Sequence, residues 1–147
     1  MKRLPLLLLL VPLLAACGGS SKPAAAPSTA AQANAICRQY HRTLDEYNQP
    51  QTMPGIVVYY GVVENALTRM VARLSAVRPQ TPALRRFTAA TRAELKPVRD
   101  LRAAAKAGSV ARVRKVAIRG ALLDKKAHAL AVRAKLGTCA ETPGSTG

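Results

Sequence analysis

Ile56, Tyr60, Val63, Leu67, Met70, Leu74 and Val77 follow one another at steps of three and four. That spacing gathers large apolar side chains along one side of an α-helix; a half-buried strand would repeat them every second residue. The segment is also punctuated. "NQPQTMPG" precedes it with two prolines and a glycine, and "RPQTP" ends it. The β-branched residues of "MPGIVVYYGVVENAL" argue against helix at its very beginning.

The rest of the chain reads the same way. From about Gln32, Ile36, Tyr40, Leu44 and Tyr47 describe a first helix. Thr81-Pro82 supplies an N-cap and a first-turn proline for a third. There Leu84, Thr91, Val98 and Ala105 form one seven-residue track and Phe87, Glu94 and Leu101 another, while Pro97 predicts a kink or a split near Lys96. Gly108-Ser109 closes this helix and caps the fourth. In the fourth, Val113, Gly120, Ala127 and Ala134 make a small-residue seam beside the larger Val116, Leu123 and Leu130. Such a seam predicts close approach to a neighbour and a central place for the helix, with Gly137 as its C-cap. The expectation is all-α: an up-down bundle of about four helices over residues 32–140. At 147 residues, with no Trp and one Phe, the chain makes one domain with a core of Leu, Val, Ala and a few Tyr.

Ahead of the bundle, "MKRLPLLLLLVPLLAA" has a basic start, an apolar run and a small-residue exit, the layout of an export signal over residues 1–16. The run is shorter than the roughly 20 apolar residues a membrane span needs. Leu14-Ala15-Ala16-Cys17 resembles the bacterial lipobox at all four positions. The resemblance implies cleavage before Cys17, a diacylglyceryl group on its thiol, and an extracytoplasmic protein anchored to the bacterial membrane; the alternative is an ordinary secretory signal with a chance cysteine. Residues 17–31 then carry the lipidated Cys17 and a small, polar, proline-dotted tether, and residues 141–147 read as a disordered tail.

Lipidation of Cys17 leaves Cys37 and Cys139. In an up-down four-helix bundle the start of the first helix and the end of the last lie at one end, so a Cys37–Cys139 disulfide is expected in an oxidising compartment. Free thiols or a two-thiol metal pair are the alternatives, and two lone cysteines make a poor metal site. The segments "ANAICRQYHRTLDEY", "LSAVRPQTPALRRF" and "AHALAVRAKLGTCA" resemble a broad group of small bacterial helical lipoproteins, Arg- and Ala-rich helices bracketed by two cysteines. The resemblance implies a fold and an address, and carries over no catalytic residue.

No HExxH, GxSxG, P-loop or CxxC signature occurs, so an enzyme is not expected, nor a cofactor or a metal. His41 and His128 stand alone on different helices and read as surface residues, though Met70 with His128 offers a haem-type ligand pair. Glu94 on a core track and Asp124 beside the small seam read either as functional acids or as ion-pair partners of Arg69 or Arg73. Tyr40, Tyr47, Tyr59 and Tyr60 are expected together where the first two helices meet, as core or as the wall of a ligand pocket.

Charge is the strongest functional hint. Removing Lys2 and Arg3 from the 23 basic residues leaves 21 against 7 acidic ones, a net of +14. Arg85, Arg92, Lys96, Arg99 and Lys106 fall on one side of the third helix, opposite Phe87 and Leu101. This is a solvated face or a site for a polyanion: anionic lipids, anionic wall polymers or an acidic envelope protein. Nucleic acid is not expected, because no aromatics are interleaved for stacking. The reading is a non-enzymatic lipoprotein that engages an anionic surface or acidic partner. The alternative is a small-molecule or haem-type carrier using the bundle interior.

Overall fold

A computed structural model describes residues 26–141, and within them the protein is an all-α bundle. The expected signal peptide (1–16), the lipidation site Cys17, most of the tether and all but Glu141 of the tail lie outside the described residues. The helices are α1 (Thr29–Asp45), α2 (Met53–Ala76), α3 (Pro82–Ala93), α4 (Leu95–Lys106) and α5 (Val110–Arg133), followed by a 3-10 turn at Thr138–Ala140.

Each helix start has a sequence-encoded cause. Ser28 Oγ accepts from the Ala31 amide at 3.2 Å, which starts α1 three residues inside the expected tether. Thr52 Oγ1 accepts from Gly55 N, also at 3.2 Å, and Pro54 sits in the first turn. The cap and proline outweigh the β-branched run, so α2 is helical from Met53. Thr81 and Ser109 cap α3 and α5 in the same way.

The expected third helix is split, at Glu94 rather than Lys96. Glu94 is at once the C-cap of α3 and the N-cap of α4. A proline ring collides with the carbonyl four residues back, which here belongs to Ala93, the last residue of α3. Pro97 itself lies in the first turn of α4, where its missing N–H costs nothing.

Two Schellman motifs end the later helices. After α4, Gly108 takes a φ of +64°, and the Ser109 and Gly108 amides reach Ala104 O and Ala105 O, both at 3.0 Å. After α5 the left-handed residue is Lys135, with φ 56°, not Gly137. The Leu136 and Lys135 amides reach Ala131 O and Val132 O at 3.0 Å. The register follows Leu136, which must turn inward at this point and is 3% exposed.

α2 holds the centre. It packs on α1, α3 and α4, and Leu67 and Leu74 are among the most deeply buried side chains, with Phe87, Leu84 and Cys37. The expectation that the fourth predicted helix sits centrally is not met. α5 packs on α3 and α4 without close backbone contact to α2, and only Ala127 and Ala131 along it are buried. The 3-10 turn carries the chain from α5 back to α1. There Cys139 forms the expected disulfide with Cys37 across a Cα–Cα distance of 5.1 Å, linking positions 102 apart.

Candidate functional site

Two regions carry the chemistry of this chain, a cationic exterior and an acidic, partly open hollow. On the exterior, the five residues expected as a polyanion face are all exposed, but four of them also contact neighbours. Arg85 Nη1 donates to Gln80 O at 2.6 Å, and Arg92 Nη2 to Ser75 Oγ at 3.1 Å. Lys96 pairs with Asp100 at 2.6 Å, and Arg99 with Glu64 at 2.8 Å, where Arg102 joins at 3.3 Å. The hydrogen bond from Arg99 holds the Glu64 carboxyl below its ordinary range. Lys106 completes the face.

α5 adds a cationic surface that the α3–α4 track does not contain. Arg112, Arg114, Lys115, Arg119, Lys125, Lys126 and Arg133 are exposed, and none joins an ion pair among the described residues. Lys115, Ile118, Leu122 and Lys125 succeed one another at steps of three and four, so they share the outward side. Ile118 is 67% and Leu122 66% exposed. The sequence carried a sign of this: Ile118 and Leu122 belong to neither seven-residue track of the helix.

The hollow lies where the small residues of α5 approach α4, with Gly120 nearest Pro97, and leave space toward α1 and α2. Gly120, Ala117 and Ala121 face a cavity of about 310 Å³, walled opposite by Tyr60, Leu67 and Leu101, with Tyr40, Glu94 and Asp124 as its polar groups. A cavity of this size falls at the lower end of small-molecule sites. A smaller recess of about 80 Å³ adjoins it through Tyr40, Leu67, Glu94 and Asp124, and reaches Met70, His41 and His128. Met70 and His128 thus border one recess, in a space smaller than a haem macrocycle needs.

Glu94 and Asp124 are brought together, and neither pairs with Arg69 or Arg73. Those arginines line a separate cleft between α1 and α2, and Arg73 donates to Gln39. Burial, reinforced by the negative charge of Asp124, pushes the Glu94 carboxyl up to about 8. Burial also raises the Tyr40 phenol far above its ordinary range, with Glu94 the next cause. Burial lowers His41 despite the pull of Glu141 and Asp45. Tyr59 and Tyr60 are both raised by burial first, and their rings meet edge to face at 5.3 Å. These two and Tyr40 pack with Leu44, Val63 and Ala66 as expected, whereas Tyr47 is 43% exposed and stands apart.

Among the described residues, no group of three or more His, Cys, Asp or Glu is placed to hold a metal ion, and no helix is long and apolar enough to cross a membrane. Comparison with known proteins returns no match: no family model, no curated protein and no solved structure resembles the chain.

Proposed function

We propose that this chain is an extracytoplasmic lipoprotein, anchored to the bacterial membrane through Cys17, whose non-enzymatic bundle engages an anionic envelope surface through its basic helices. The observation that carries the reading is the outward side of α5, where unpaired Lys and Arg surround the exposed Ile118 and Leu122. Cationic side chains interleaved with bulky apolar ones suit a helix lying at the headgroup level of an anionic bilayer. Each basic residue close to such a surface contributes about 1 kcal/mol, a contribution that decays within a Debye length of about 8 Å. Two acyl chains on Cys17 outweigh this for anchoring. The charge then decides which side of the bundle meets the membrane, and α5 is favoured over the α3–α4 track because its cations are not engaged within the protein.

The test is co-sedimentation of the Cys17→Ser chain with phosphatidylglycerol-containing and phosphatidylcholine vesicles across a salt series. Binding to the anionic vesicles alone, persisting near physiological salt and lost in Lys115→Glu/Lys125→Glu, supports the reading. Loss in Arg85→Glu/Lys106→Glu instead moves the contact to the α3–α4 face. No binding at moderate salt reduces both faces to solvated surfaces.

A further inference from the structure

An acidic hollow in a strongly basic molecule points to a ligand. The chain has 23 Lys and Arg for 7 Asp and Glu, so a carboxylate that serves the fold has a cation within easy reach. Glu64 and Asp100 take that option. Glu94, half-buried, does not: it shares the walls of the hollow with Asp124, which stands exposed at its edge, and no Lys or Arg lines the hollow. A second observation is independent of the two acids. Tyr40 is partly buried and borders both parts of the hollow, and its hydroxyl has no hydrogen-bond partner among the described residues. A phenol and two carboxyl groups lining one hollow beside apolar walls suit a positive charge that carries a hydrocarbon body.

We propose that the hollow between α5 and the α1–α2 side binds a small organic amine, its ammonium held by Glu94, Asp124 and Tyr40 and its apolar body lying against Leu67, Val98 and Leu101. The small residues of α5 then have a role beyond helix packing, since a larger side chain at Gly120 or Ala121 would occupy the space of the ligand. The titratable groups facing the acids are Tyr40 and His41 from α1, Tyr60 from α2, His128 from α5, and Glu141 after the 3-10 turn. No Lys or Arg is among them. The binding step balances simply: neutral Glu94 gives its proton to the solvent and the resulting carboxylate pairs with the arriving ammonium, with no covalent change.

The experiment is calorimetric titration of the intact Cys17→Ser chain with phenethylamine, 2-phenylethanol and phenylacetate at pH 7, in buffers of differing ionisation enthalpy. The amine should bind with release of a proton, its affinity rising with pH toward 8 and levelling beyond. The neutral alcohol and the anion should bind at least ten times more weakly. Glu94→Gln should abolish the proton release and weaken the amine at least tenfold, while Asp100→Asn, on the exterior, leaves both unchanged. Circular dichroism of each variant reports that it is folded. Equal binding of amine and alcohol, an unchanged affinity in folded Glu94→Gln, or no binding of the amine at millimolar concentration would each overturn the proposal. Vesicle binding is read separately, so this outcome and that of the surface reading are distinguishable.

Discussion

α2 and α5 are each 24 residues long, and the bundle uses them in opposite ways. α2 spends Val63, Leu67, Met70, Val71 and Leu74 on the core. α5 buries only Ala127 and Ala131, and leaves Ile118 and Leu122 in solvent among its Lys and Arg. Large side chains on an inward stripe fill the space between helices and fix their neighbours. Small ones permit close approach only where a ridge on the facing helix is there to fill the groove. α5 meets α3 and α4, with Leu123 and Leu130 bordering a groove beside Arg86 and Ala90; toward α2 its small residues meet no such ridge, and the hollow results. One helix makes the fold, while the other carries a charged exterior and an acidic cavity wall on a fold already made.

The link that holds α5 to the rest should therefore be the largest single contribution to stability. The Cys37–Cys139 disulfide joins α1 to the turn after α5 across 102 positions, and loops of that size correspond to about 4 to 5 kcal/mol in chain-entropy models. Cys37→Ser/Cys139→Ser should lower the free energy of chemical unfolding by up to that amount. Hydrogen exchange should show α5 opening before α2. Equal protection of the two helices in the reduced chain would contradict the division of roles.

Next in size is a matched pair of truncations. Leu67 is 1% exposed and Leu122 66%. Leu67→Ala should cost about 3 kcal/mol, from lost transfer energy and the cavity it leaves, whereas Leu122→Ala should change stability by less than about 0.5 kcal/mol. Denaturant melts of both variants check this. The same Leu122→Ala should weaken binding to anionic vesicles, so that stability and surface binding separate onto the two helices.

How much of this the sequence disclosed follows from the same contrast. The α2 stripe was readable because every inward position carries a large side chain and both ends carry breakers. The disulfide was readable because topology alone brings Cys37 and Cys139 to one end. The inward register of Glu94 was readable too, from its track with Phe87 and Leu101. Its neighbour was not, since the period of one helix does not say which helix it faces: Asp124 stands where Arg69 or Arg73 was expected. The place of α5 was misread for a related reason, because a small-residue seam looks the same whether it meets a ridge or borders a cavity. Lys135 in the left-handed conformation was hidden by the nearby Gly137, since the deciding residue is the buried Leu136.

The smallest predicted effect in stability isolates the hollow. Glu94 carries a carboxyl raised from its ordinary 4.5 to about 8 in the folded chain. Between those values the folded state holds a proton that the unfolded state has lost, so stability should fall as pH rises through this window and level off above about 8. His41 acts in the opposite sense on the acid side. Its lowered value means that stability is lost as pH falls below the ordinary 6.5 of a histidine. The interval from 6.5 to 8 is thus governed by Glu94, and because the hollow is partly open to solvent the slope should accumulate to no more than about 2 kcal/mol. Glu94→Gln keeps the shape of the side chain and removes the titration. Its unfolding free energy should be nearly flat over the interval, and should exceed that of the parent chain at pH 8.5 while matching it more closely at pH 6.5. If the parent chain is itself flat over the interval, the carboxyl is ionised in the fold, and the hollow presents two fixed negative charges instead of one carboxyl ready to release its proton to an amine.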